Sequence, residues 1–256
     1  MQTGAITPYI DVAQLVLYAF WIFFAGLIVY LLRENKREGY PLESDRSERA
    51  PRVKIQGFPA MPPPKTFLLR DGRRQTVPRP EAKPEVRGAP SGPWPGAPLV
   101  PSGDPMLAEI GPGTYSQRTD IPDTTWEGEP RLVPLRDKPD FSVTAGDPDP
   151  VGLPVICADG KSGGTIVDCW VDQAEIIFRF LEVKLPDNGG HVLLPMNFCR
   201  VTRREVRVAS VMSSQLNSVP RQRQADVITL LEEDKVMAYY GGGTLYASPS
   251  RAEPLL

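Results

Sequence analysis

The sequence predicts one transmembrane α-helix followed by a mainly β domain, a small barrel or sandwich, that closes with a C-terminal helix. Three observations predict it. An uninterrupted apolar run lies near the N-terminus, a proline-dense stretch follows, and short alternating segments with turn residues between them fill the rest.

The apolar run, VAQLVLYAFWIFFAGLIVYLL, covers residues 12–32, with Gln14 its only strongly polar side chain. At a rise of about 1.5 Å per residue it spans roughly the 30 Å of a bilayer's hydrocarbon core. A cleaved leader fits poorly, because residues 1–11 carry no Lys or Arg and no small-residue cleavage motif follows. The next residues are RENKRE, and the cluster Arg33, Lys36 and Arg37 stops transfer. By the positive-inside rule, residues 1–11 lie outside and everything after Leu32 lies in the cytoplasm. The same three cations stand at the depth of anionic lipid headgroups. Tyr30 and Tyr9 suit an interfacial aromatic belt, whereas Trp21 lies mid-span.

Residues 33–104 form the second segment, and 41–104 hold 14 of the 29 prolines. No helical or alternating period survives that density. Phe67–Leu69, Trp94 and Leu99–Val100 are too apolar for a free linker, so an extended stretch lying on a partner is expected. From 105 onward the strands are VGLPVIC (151–157), GTIVDCWVD (164–172), IIFRFLEVKL (176–185), HVLLPM (191–196) and EVRVASV (205–211), with PDNGG punctuating the third and fourth. In TLLEEDKVMAYYGGGTLYA, Thr229 and Glu232 form a capping box and the Gly241–Gly243 run weakens or ends the helix.

Composition excludes some functions. A formal net charge of -2 gives no support to nucleic-acid binding. Cys157, Cys169 and Cys199 are widely spaced and form no CxxC pair, and the single His191 cannot make a multi-histidine metal site. No nucleophile-elbow, phosphate-loop, dinucleotide or zinc-protease motif is present, so the chain reads as non-enzymatic. Period-two alternation along 164–172 puts Val167, Cys169 and Val171 on a core face and Asp168, Trp170 and Asp172 on a non-core face suited to an interface. Glu175 follows three residues after Asp172. Either a solvated acidic edge or a proton-conducting carboxylate group fits that pattern.

FWIFFAGLIVYLLRENKREGYPLE (20–43), SGDPM (102–106), VGLPV (151–155), DCWVDQAE (168–175), RFLEVKL (179–185), LLPM (193–196) and TLLEEDKV (229–236) resemble, in order, the H subunit of the purple-bacterial photosynthetic reaction centre. The resemblance covers about residues 12–247 and implies a PRC-barrel over 105–256. It further implies a cap on the cytoplasmic face of the L and M subunits in the bacterial inner (intracytoplasmic) membrane, one that stabilises the complex, shields the quinone sites and relays protons to the secondary quinone. The chain itself would hold no cofactor. Bacteriochlorophyll, bacteriopheophytin, quinones, non-haem iron and a carotenoid would belong to its partners. A cytochrome subunit, a light-harvesting antenna and membrane lipids are further partners of this class. By position, Asp172 and Glu175 match the acidic pair on the proton path, and Asp123 falls near the region where protons enter. Some members carry two histidines there; this chain has Glu127 and Glu129 instead. A membrane-tethered adaptor without photochemistry is the alternative reading.

Overall fold

The computed structural model describes residues 5–7, 10–40, 57–78, 85–94, 96–186 and 189–252. Tyr9, and Asp187 and Asn188 of the expected PDNGG turn, lie outside them, as does much of the proline-dense segment. The chain forms two units, 1–84 and 85–256.

In the first unit, β1 (Ala5–Thr7) and β2 (Ile10–Asp11) pair antiparallel and lead into α1 (Val12–Arg37). Asp11 caps α1, its side chain accepting from the Gln14 N–H at 2.7 Å. The helix is apolar on every side, with a mean hydropathy of 2.5 over its best window and none of that window buried, as a membrane span requires. It continues past the expected end at Leu32, because Arg33, Glu34, Lys36 and Arg37 are good helix formers and the cations among them favour a helix C-terminus. Lys36 and Arg37 are buried. Lys36 Nζ donates to the Gly57 and Pro59 carbonyls, at 2.9 and 2.5 Å, and Arg37 Nη1 donates to the Pro63 carbonyl. Two of the three cations expected at lipid headgroups therefore hold the returning chain instead, while Arg33 is exposed. β3 (Lys65–Leu68) and β4 (Arg74–Val77) make a small hairpin.

In the second unit, β5 (Gly88–Pro90) and β6 (Leu99–Pro101) form a separate hairpin. A seven-stranded sheet follows: β7 (Leu132–Pro134), β8 (Pro154–Ile156), β9 (Ser162–Asp172), β10 (Ile177–Lys184), β11 (His191–Pro195), β12 (Cys199–Val201) and β13 (Val206–Val208). Its order is β11-β10-β9-β8-β13-β12. β9 is long enough to pair with β8 along its first half and with β7 along its second, where Leu132 faces Asp172. Only β8 and β13 run parallel. Bulges in β10 opposite β9 increase the local twist, and the sheet curls into a half-barrel.

That curl buries both faces of β9. Trp170 and Asp172 are 0% exposed and Asp168 is 6% exposed, so the expected non-core face does not exist. The inner face carries a continuous apolar core, closed by α2 (Leu230–Tyr246) through Val236, Tyr239 and Tyr240. Thr229 and Glu232 form the expected capping box. The glycine run does not end the helix. A Cβ on Gly241 would lie 2.6 Å from the Pro112 carbonyl oxygen and one on Gly243 2.4 Å from that of Ser210, so the glycines admit close backbone packing.

Candidate functional site: an arginine-bridged carboxylate network

Asp172 ends β9 and starts the turn into β10. Its Oδ1 accepts the backbone N–H groups of Ala174 (3.0 Å) and Glu175 (3.1 Å), an Asx-type turn. The Ile176 N–H closes it on the Asp172 carbonyl at 2.8 Å, which puts Ile176 in the left-handed region at φ 57° with its side chain 71% exposed. A β-branched residue in that region is an outlier.

Arg131, one residue before β7, reaches the same carboxylate because β7 lies beside the end of β9. Its Nε stands 2.9 Å from both Asp172 oxygens and its Nη2 2.5 Å from Glu175 Oε1. Nη1 lies 3.5 Å from Asp123 Oδ2. One guanidinium thus bridges three carboxylates. Arg179 on β10 continues the chain, with Nη1 3.4 Å from Asp172 Oδ2 and Nη2 3.3 Å from Glu233 Oε2 on the first turn of α2. The side chains of Asp123 and Glu175 are 42% and 55% exposed, while those of Asp172 and Glu233 are 1% and 7% exposed. The network therefore runs from solvent to the interior.

The two buried acids are tuned in opposite directions. Burial works to raise the Asp172 pKa, but the hydrogen bonds from Arg131 and the two backbone N–H groups outweigh it, so the carboxyl lies below its ordinary value. At Glu233 burial prevails over the attraction of Arg179 and Arg118, and the carboxyl lies above its ordinary value.

Asp172, Glu175 and Asp123 are therefore brought together around the Arg131 guanidinium. Glu127 and Glu129 are exposed on the neighbouring turn, where Thr124 bridges to Pro130, and share an open hollow of about 400 Å³ with Trp126 and Phe141. They are outside the arginine-bridged network. Arg33, Lys36 and Arg37 belong to the first unit. Sequence reasoning missed Arg131, Arg179 and Glu233.

A second polar cluster lies on the same strands. Glu182 accepts from Arg136 Nη1 (2.7 Å) and Trp170 Nε1 (3.2 Å) and pairs with His191 Nδ1 (2.5 Å). Arg136 also holds Asp168 at 2.7 Å and pairs with Asp226. This explains why Trp170 and Asp168 are buried: their polar atoms have internal partners.

Among the described residues one helix is long and apolar enough to cross a membrane, and with the curled β domain and its C-terminal helix it fits a membrane-anchored PRC-barrel protein; the PRC-barrel domain model matches residues 144–213. The model of the photosynthetic reaction centre H-chain N-terminal region matches residues 4–137, more than half of the chain. The chain belongs to the photosynthetic reaction centre H-chain family, a non-enzymatic subunit of an electron-transfer complex associated with L and M subunits.

Proposed function

We propose that this H chain caps the cytoplasmic side of the L and M subunits, shields their quinone sites from water and relays protons to the secondary quinone. The observation that carries the reading is the solvent-to-interior series of carboxylates joined by Arg131 and Arg179. A relay needs groups that exchange protons near the working pH, and an outer group that collects them. Glu175 and Asp123 are the collecting groups, with Glu127 and Glu129 beside them where protons enter. Asp172, held ionised, is a fixed negative charge that favours the proton's passage inward. Glu233, raised by burial, is the member best suited to hold a proton in transit.

The pigments, quinones and iron belong, in this reading, to the partner subunits, and a cytochrome subunit or antenna would join through them. Arg33 is the headgroup contact, with Lys36 and Arg37 positioning the chain that returns along α1. Replacing Glu175 by Gln in the whole complex tests the relay. Flash spectroscopy is expected to find the second, proton-coupled electron transfer slowed and initial charge separation unchanged; an unchanged second transfer would exclude Glu175 from the path.

A further inference from the structure

The β12–β13 hairpin carries four arginines in eight residues: Arg200, Arg203, Arg204 and Arg207, all exposed. Arg200 and Arg207 are direct cross-strand partners, so two like charges face each other, an arrangement that by itself destabilises a sheet. Arg207 Nε pairs with Glu205. Among the described residues, Arg200, Arg203 and Arg204 make no side-chain hydrogen bond or ion pair, although most other arginines of the sheet domain are committed to carboxylates or carbonyls. The turn is held firmly, with the Thr202 N–H on the Glu205 carbonyl at 3.0 Å and Thr202 Oγ1 on the same oxygen at 2.7 Å. Charge on an edge strand also discourages strand addition, and β12 is an edge. Edge protection accounts for Arg200; it does not account for two further cations at the tip.

Strand direction says where that tip lies. β13 runs parallel to β8, and β8 antiparallel to β9. The turn with Arg203 and Arg204, just before the start of β13, therefore points toward the end of the sheet at which β9 finishes with Asp172 and Glu175, although Val206 itself stands level with Val155 and Gly164, eight residues short of Asp172. On the reading above, on which this step rests, that end faces the membrane subunits. The opposite end carries the β10–β11 connection, where Arg221 Nη2 donates to the Gly189 carbonyl at 2.6 Å.

We infer that the arginine hairpin is a docking surface for the anionic headgroups of the bilayer that anchors the chain. Guanidinium forks match phosphate oxygens, a tethered domain meets the headgroup layer at high effective concentration, and that layer is a polyanion always within reach of a membrane-anchored chain. No carboxylate-rich partner has to be invoked.

The test uses the full chain, without L and M, in nanodiscs of phosphatidylcholine alone or of equal parts phosphatidylcholine and phosphatidylglycerol. Phenylglyoxal modification at each arginine is followed by mass spectrometry, with Arg221 as the internal control. In anionic discs the rate at Arg203 and Arg204 is expected to fall about fivefold, the factor of one surface-adsorbed arginine, while Arg221 is unchanged and high salt removes the difference. Equal rates in the two discs, or an equal fall at Arg221, would overturn the inference. Protection that appears only when L and M are added would also overturn it, assigning the hairpin to an acidic protein surface. Failure of the relay reading is scored separately, by quinone kinetics in the complex.

Discussion

Arg131 places its Nε 2.9 Å from both oxygens of Asp172, a carboxylate with no exposed surface. These two residues are separated by about forty positions and meet only because β7 pairs with the last three residues of β9. The pair ties the β7 edge to the β9–β10 turn and fixes the position of Glu175 beside it.

Replacing Arg131 by Met removes the nearer cation from that buried carboxylate and leaves it Arg179 at 3.4 Å and two backbone N–H groups. The loss of stability is expected to be about 2 kcal/mol, below the usual cost of breaking a buried pair from one side because the charge stays partly compensated. Adding Asp172→Asn to the same chain should recover part of it. Thermal unfolding of the single and double variants measures the coupling, and strictly additive losses would show that the two do not act as a pair.

The pH dependence separates Asp172 from Glu233. The folded-state pKa of Asp172 is depressed, so its contribution is fully present above the unfolded value of about 3.9 and is lost as pH falls through the lower folded one. Glu182 follows the same sign. Glu233 is raised, so ionising it costs stability above about pH 4.3, its unfolded value. Glu233→Gln should therefore melt higher than the parent at neutral pH, with the gap closing as the pH falls through the raised folded-state value to the unfolded one. A gap independent of pH would contradict the assignment.

Ile176 keeps a left-handed backbone without glycine's freedom and leaves most of its side chain exposed. Ile176→Gly is expected to stabilise the isolated chain by about 1 kcal/mol by relieving that conformation. Chemical denaturation would check it; a destabilised variant would mean that the Ile176 side chain contributes more to the folded chain than the strain costs.

Gly243→Ala should destabilise by about 2 kcal/mol, because the added Cβ meets the backbone carbonyl of Ser210, which cannot swing aside as a side chain could. The same change at Gly26 on α1, where nothing lies within 4 Å, should be tolerated. Melting curves of the two variants compare them directly.

Much of this was legible in the sequence because it rests on local pattern. All five expected strands form, four of them trimmed by one to four residues and β9 starting two residues earlier, at Ser162, and Thr229 with Glu232 marks the start of α2. β7 and β12 were not legible, being three residues long without a longer apolar run around them, whereas the equally short β8 and β13 lie inside such runs. Alternation predicted an open face on β9, but it reports only which side chains share a face, and the curl of the sheet covers both. Asp172 and Glu175 stood out from the alternation along β9 and took their expected role from the family resemblance, whereas Asp123 came through the resemblance alone. Arg131 and Arg179 depend on strand register across distant segments, and Glu233 read as an ordinary first-turn acid of a helix. The Gly241–Gly243 run looked like a terminator because glycine has two uses, chain reversal and close packing, which composition does not distinguish. Lys36 and Arg37 looked free for lipid for a similar reason: their carbonyl partners lie some twenty residues or more further along.

The most direct test of the relay is the rate of the second, proton-coupled electron transfer to the secondary quinone in reaction centres carrying Glu233→Gln, followed by flash absorption across neutral pH. The network predicts a rate lower by about tenfold, equivalent to about 1.4 kcal/mol on the barrier, with the first electron transfer and charge separation unchanged. A second transfer indistinguishable from that of the parent at every pH would contradict the claim that protons pass through this chain of carboxylates.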